Sequence, residues 1–330
     1  MIRVSAVILF GLSLSLSGTL WAERNYADSD EAEAFIEEMA ERPEFDLAEL
    51  QKLFSEARFS EDVIERISSP AERVLSWGEY RDLFITRERI EAGREFMDEY
   101  REALRRAEDE TGVPAEIITA IIGVETFYGR HRGTHRVIDA LSTLAFDYPP
   151  RSDFFRSELR EFLLLADEQG FDPLELKGSY AGAMGYGQFI SSSYRHYAID
   201  FDDDGVADIL DNPVDAIGSV ANYFVEHDWQ PGAPINQKVD AGEQARKQLT
   251  QDNLRPAHRA AEARSLGLAV NEALSDDAPV KLLVLETEAG EETWLAFHNF
   301  YVITRYNHSD LYAMAITELA EALVEQEDGE

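Results

Sequence analysis

Val113-Pro114-Ala115-Glu116-Ile117-Ile118-Thr119-Ala120-Ile121-Ile122-Gly123-Val124-Glu125 reads as a helix with Pro114 at its first turn. At ~100° per residue, Ile117, Ile118, Ile121, Ile122 and Val124 cover one broad face. Glu116, Thr119 and Gly123 mark the other side. Glu125 falls inside the apolar arc, four residues after Ile121 and three after Ile122. A carboxylate held on an apolar face is desolvated, which raises its pKa and makes it a general acid. Periodicity alone leaves a second reading open: a Glu at a helix end that reaches water.

The pattern on either side is mostly helical. Phe35, Ile36 and Met39 form one stripe, and Leu47, Leu50, Leu53 and Phe54 another. Arg87 to Glu110 reads as one long charged helix carrying Ile90, Phe96, Tyr100 and Leu104. Tyr148-Pro149-Pro150 marks a turn before an amphipathic helix near 151–168, and Asp215 to Asp228 is helical again. Past Trp229 the character changes. Val280 to Leu285 and Thr293 to Phe297 read as strands joined by Glu288-Ala289-Gly290-Glu291. Phe300 and Ile303 read as core, and Ser309 caps a last helix through Leu311, Met314, Leu319 and Leu323.

Composition sets the surroundings. Met1 to Ala22 has a short positive start and an apolar run, and reads as a secretory signal cut after Ala22, with an uncleaved membrane anchor as the competing reading. That leaves about 308 residues, enough for two or three subdomains. The chain has no cysteine, hence no disulfide and no thiol for a lipid anchor. Its net charge is −35, from 65 acids and 30 bases, only five of them Lys. So acidic a surface argues against nucleic acid and anionic lipid as partners. It suits a salty exterior, where solubility and activity should persist in molar salt.

Asp200-Phe201-Asp202-Asp203-Asp204-Gly205-Val206-Ala207-Asp208-Ile209-Leu210-Asp211 has calcium-loop spacing. Asp200, Asp202, Asp204, Asp208 and Asp211 stand at positions 1, 3, 5, 9 and 12, Gly205 at 6, and Val206 at 7 offers its carbonyl. Position 12 is Asp where Glu is usual, so the closing ligand is Asp211 or Asp215. An ordinary acidic surface loop is the competing reading. Gly178 to Phe189 holds four glycines and no lysine, so it lacks the phosphate-loop pattern. It suits close approach to a neutral ligand such as a sugar, with Ser179 and Gln188 as hydrogen-bonding side chains. The aromatic stretch through Tyr306 offers stacking surfaces. No zinc spacing, nucleotide fingerprint or nucleophile elbow appears, and no organic cofactor is expected.

Gly123-Val124-Glu125-Thr126-Phe127-Tyr128-Gly129-Arg130 resembles the catalytic segment of the B-type lytic murein transglycosylases, glycoside hydrolase family 103. Leu176 to Phe189, Asp215 to Phe224 and Arg305-Tyr306-Asn307 resemble further blocks of that family, in its order, across roughly 30–325. The resemblance implies a mainly α fold: a lysozyme-like α+β core, a helical N-terminal domain and a small β-containing insertion. The corresponding boundaries are 1–22 for the signal, 23–110 for the helical domain, 111–232 with 298–330 for the core, and 233–297 for the insertion. It also implies Glu125 as single acid/base and Ser179, Gln188, Tyr223, Tyr306, Asn307 and Tyr312 along a saccharide cleft. A structural Ca2+ in the 200–215 loop follows from it too. The implied reaction cuts the β-1,4 MurNAc–GlcNAc bond of peptidoglycan glycan strands and leaves 1,6-anhydroMurNAc ends. A periplasmic monomer, meeting enzymes of wall synthesis or remodelling, completes this expectation. Where the family usually has Pro after Gln-Phe-x, this chain has Ser191, which bears on how the next helix starts. Its rivals are a lysozyme-type hydrolase on the same cleft and a catalytically silent wall-binding protein.

Overall fold

The computed structural model describes residues 24–27, 29–68 and 75–325; the segment read as a signal lies outside them. The described residues include fifteen α-helices and six strands. The first helices, Asp30–Ala40 and Leu47–Glu56, start at Ser29 and Asp46, whose side chains accept amides of the first turn. Phe35, Ile36, Met39, Leu50 and Phe54 are buried as their stripes require. Leu47 is not: it is the first residue of its helix, and 44% exposed.

The long charged helix is in fact two, Arg87–Glu99 and Arg101–Thr111, broken at Tyr100 (φ −105°, ψ 25°). The break escapes periodicity because the Tyr100 N–H still donates to Phe96 O and its carbonyl still accepts from Leu104. The apolar register therefore runs through the kink. Both helices pack on Ala115–Thr126, the centre of the molecule, as do Pro213–Glu226 and the C-terminal helix Asp310–Val324.

Ala115–Thr126 is buried nearly all round, which corrects the two-sided reading of its sequence. Thr119 and Gly123 are buried along with the isoleucines. The Thr119 hydroxyl donates to Ala115 O at 2.8 Å, so it enters the core already paired. Gly123 leaves room for the Tyr128 ring: a Cβ there would sit 2.6 Å from its hydroxyl.

After the turn Pro149–Arg151, the helix Ser152–Gln169 packs against Val137–Asp147. Ser191 opens the helix Ser191–Tyr197, whose next residue, Ser192, donates its N–H and hydroxyl to the buried Glu158. A remote carboxylate thus satisfies the start of that helix.

The hairpin comprises Pro279–Thr287 and Gly290–Ala296, paired Leu283 to Trp294 and closed by Glu288-Ala289. Asn236–Val239 and His258–Arg259 flank it in a four-stranded antiparallel sheet. Along the strands the side chains alternate. Val280, Leu282 and Leu295 join a small core with Ala245, Leu249 and Ala260. Leu283, Leu285 and Ala296 join the main core. The sheet is therefore a shared wall between two hydrophobic clusters. The helix His298–Tyr306 leads from it, with Phe300 and Ile303 buried, and Ser309 caps Asp310–Val324 as its sequence requires.

Candidate active site

Glu125 is the penultimate residue of the buried helix, which stops because Phe127, Tyr128 and Gly129 all take left-handed conformations (φ 51°, 57° and 85°). Such backbone costs energy for non-glycine residues and persists only where neighbours enforce it. Thr126 is one enforcer. Its buried hydroxyl accepts the Gly129 N–H at 2.9 Å and is shared between the carbonyls of Ile122 and Tyr186. Gly129 is required for a second reason: a Cβ would lie 2.1 Å from the Tyr186 ring. The end of the helix is thus bound to the glycine-rich loop.

Glu125 itself is half-buried. The Tyr312 hydroxyl, from the first turn of Asp310–Val324, donates to its Oε1 at 2.6 Å. Tyr312 is 2% exposed, and Tyr306 lies nearly parallel to it, with ring centroids 6.5 Å apart. Burial, and next the charge of Glu125, holds both phenols well above their ordinary pKa. They therefore act as neutral donors. The Tyr306 hydroxyl donates to Gly187 O at 2.5 Å and that of Tyr223 to Arg305 O at 2.6 Å. Tyr223, Tyr306 and Phe189 pack ring to ring behind the carboxylate.

Of the residues expected along a cleft, Tyr312, Tyr306 and Tyr223 are brought together with Glu125 in this way. Asn307 ends the helix His298–Tyr306, where its carbonyl accepts the Ser309 N–H. Ser179 and Gln188 are engaged with their own loop. The Ser179 hydroxyl accepts from Ala181 and Ala183, and the Gln188 amide donates to the carbonyls of Arg132 and Gly185. Gln188 does so from a left-handed backbone, φ 51°. Thr126 and Arg132 were not singled out from sequence. A hydroxyl next to an acid and one arginine among many carry no distinguishing spacing.

In the acidic loop, carboxylate oxygens of Asp200, Asp202 and Asp204 lie within 4.8 Å of one another. Three hard anionic oxygens so close suit a calcium ion. The other expected ligands have different partners. Asp208 accepts the amides of Leu210 and Asp211, and Asp211 pairs with Arg132 at 2.7 Å. The Val206 carbonyl accepts the Asp208 N–H. Asp215 is fully buried and takes the amides of Phe201 and Asp208 on its two oxygens. It thus joins the loop to the helix Pro213–Glu226, which carries Tyr223.

The chain matches the family described as "Transglycosylase SLT domain" over residues 27–321. It is 41% identical, over 308 residues, to membrane-bound lytic murein transglycosylase B of Escherichia coli K12, covering 91% of this chain and 84% of that protein. Among solved structures, the catenated lytic transglycosylase SltB1 of Pseudomonas aeruginosa superposes with a TM-score of 0.87 at 48% identity, over 91% of this chain and 98% of that one. The Escherichia coli lytic transglycosylase Slt35 in complex with calcium gives 0.83 at 41%, over 90% and 94%. SltB3 of Pseudomonas aeruginosa, in complex with NAG-anhNAM-pentapeptide, gives 0.80 at 28%, over 88% and 78%. A mainly helical fold with a small sheet is common ground between the expectation from sequence and this structure, and the likeness extends over nearly the whole described chain. This chain belongs to the SLT transglycosylase family.

Proposed function

We propose that the protein is a peptidoglycan lytic transglycosylase in which Glu125 is the single acid/base. The observation that carries this reading is the carboxylate itself: half-buried at the end of a largely buried helix, with one oxygen held by the Tyr312 hydroxyl at 2.6 Å. Glu125 protonates the glycosidic oxygen of the β-1,4 MurNAc–GlcNAc bond. As carboxylate it then takes the proton of the muramoyl C6 hydroxyl, which attacks C1 and closes the 1,6-anhydro ring. Because the sugar supplies the nucleophile, the second carboxylate of ordinary glycosidases is not needed. Tyr312 keeps its proton throughout and orients Glu125. The naming of the Escherichia coli relative as a murein transglycosylase, and the NAG-anhNAM-pentapeptide held by SltB3, support both the substrate and the product.

Glu125→Gln keeps the carboxylate's shape and removes its proton transfer. It should retain the wild-type melting temperature and lose nearly all turnover of murein. Mass spectrometry of the digest separates this reaction from hydrolysis: the anhydro product is one water lighter. A digest of full-mass reducing ends would assign a lysozyme-type hydrolase instead.

Asp200, Asp202 and Asp204 would hold a calcium ion, with Asp208, Val206, Asp211 and Asp215 as the remaining candidates from the loop. The calcium complex of Slt35 supports this. Bound there, the ion would neutralise the clustered carboxylates and stiffen the loop. The domain boundaries proposed from sequence stand alongside: 23–110, then 111–232 with 298–330, and 233–297. Export by residues 1–22 would place a monomer in the periplasm with glycan strands as its partner and no organic cofactor. Among the described residues, no helix is long and apolar enough to cross a membrane.

A further inference from the structure

Arg305 belongs to the Arg305-Tyr306-Asn307 block, and the proposed reaction gives it no task. Tyr301 and Arg305 are four residues apart on the helix His298–Tyr306 and so share a face. Together with Asn253, Leu254, Arg255 and Pro256 they line a cleft of ≈ 420 Å³. The Arg255 guanidinium carbon lies 5.8 Å from the Tyr301 ring centroid, and Arg305 Nη1 lies 3.2 Å from His308 Nε2.

Three observations set this cleft apart. No carboxylate lines it, in a chain of 65 acids and 30 bases. By contrast, the ≈ 650 Å³ cleft between Trp77 and Trp294 is ringed by acids, Glu292, Glu318 and Glu321 among them. Among the described residues neither Arg255 nor Arg305 forms an ion pair, whereas most other arginines do. The loop carrying Arg255 is also held in shape. The Gln251 carboxamide donates to the carbonyls of Asn253 and Arg255 and accepts the Ala257 N–H.

Two guanidinium groups without a carboxylate partner, beside an aromatic ring, form a receptor for carboxylates. We propose that this cleft is an anion subsite that holds the free carboxylates of peptide stems on the glycan strand, next to Tyr306. The inference rests on the proposed murein substrate. It gives an acidic protein a local means of gripping an acidic polymer. Arg305 bridges the two regions: it lines the cleft, and its carbonyl accepts the Tyr223 hydroxyl within the aromatic wall.

The test compares glycan strands bearing stems with the same strands stripped of them by an amidase. Wild type should show the lower KM on stem-bearing strands. Arg255→Gln with Arg305→Gln should raise that KM roughly tenfold, with kcat retained and stripped strands cleaved as by wild type. Arg255→Lys should restore part of the preference, and molar salt should abolish it. Equal losses on both substrates, or no wild-type preference, would overturn the subsite. So would acetate or inorganic phosphate competing as well as the free stem peptide, since the cleft would then be a generic anion site. Should Arg305→Gln fail to fold, Arg255→Gln and Arg255→Glu on the exposed loop carry the comparison, and Glu must lose more. Wild-type turnover of stripped strands tests the proposed reaction separately. If neither substrate is cleaved, calorimetric binding of stem-bearing fragments to wild type and to the double variant still decides the subsite.

Discussion

Tyr312 and Asp310 stand two residues apart in the first turn of the C-terminal helix and exert opposite demands. Tyr312 serves Glu125. Its hydrogen bond to a carboxylate belongs to the stronger, charge-assisted class, about 1.5–3 kcal/mol. Tyr312→Phe should therefore lower kcat roughly ten- to a hundredfold with little change in KM, measured on soluble glycan fragments. An unchanged kcat would remove Tyr312 from the mechanism. Asp310 serves the fold. Lys281, 2% exposed on the hairpin, donates to its Oδ2 at 2.6 Å, while its Oδ1 is buried without a hydrogen-bond partner. Asp310 retains 27% side-chain exposure, so the two ends of the pair are not equivalent. Asp310→Ala strands a buried ammonium and should cost about 3–5 kcal/mol in urea unfolding. Lys281→Met leaves a carboxylate that water can still reach, and should cost less. The reverse order would show that packing around the lysine stem, and not its charge, dominates.

Between elements, close approach is the governing constraint. The helices Arg87–Glu99, Ala115–Thr126 and Asp310–Val324 meet around Tyr128, and Gly93 and Gly123 make the space for it. A Cβ at Gly93 would lie 2.3 Å from the Tyr128 hydroxyl and 2.4 Å from Leu323 Cδ2. Tyr128 sits at φ 57° immediately after the Glu125 helix and cannot yield without moving its end. Gly123→Ala should thus destabilise by about 1–3 kcal/mol despite its better helix propensity. It should also lower kcat, because Glu125 lies two residues further along. A thermal melt and a turnover assay on the same preparation check both. The acidic loop is the other element under tension. Asp200, Asp202 and Asp204 repel one another at the spacing observed. Calcium should raise the melting temperature in a concentration-dependent way, and magnesium should do so less because it demands a tighter octahedron. A melting temperature indifferent to chelator, with no heat of calcium binding, would refute the site.

At the scale of the whole molecule, pH is the informative variable. Burial pushes Glu116, Glu158, Asp215, Asp310, Glu318 and Glu321 above their ordinary carboxylate values. In the window above the ordinary value the folded protein holds protons that the unfolded chain has released, so acidification stabilises it. Relief of self-repulsion at a net charge of −35 acts in the same direction. Carboxylates held low by a partner act oppositely: Asp62 by Arg66, Glu168 by Arg195 and Glu292 by Lys238. Their contribution is lost only as pH falls through and below the ordinary value. At fixed calcium, the melting temperature should rise as pH falls from 7 toward the ordinary carboxylate values of about 4, and fall again below them. A monotonic fall from pH 7 would mean that the paired carboxylates outweigh the buried ones.

Local signals, read along the chain, determined much of this protein. The stripe of Phe35, Ile36 and Met39, the cap at Ser309, the hairpin around Gly290 and the acidic loop are each specified by residues within a few positions of one another. Glu125 was legible for the same reason, as an acid set in an apolar run. Tertiary structure decided what depends on partners distant in sequence. Periodicity placed Thr119 and Gly123 on an outer face, yet neighbours on every side bury them, because a paired hydroxyl and an absent side chain are compatible with a core. The kink at Tyr100 left no mark in a register that its hydrogen bonds preserve. Nothing local announced that Tyr312 would meet Glu125 across 187 positions, or that Lys281 would find Asp310. Sequence pattern reports which residues must leave water; which of them then meet is decided only when the helices close around a common centre.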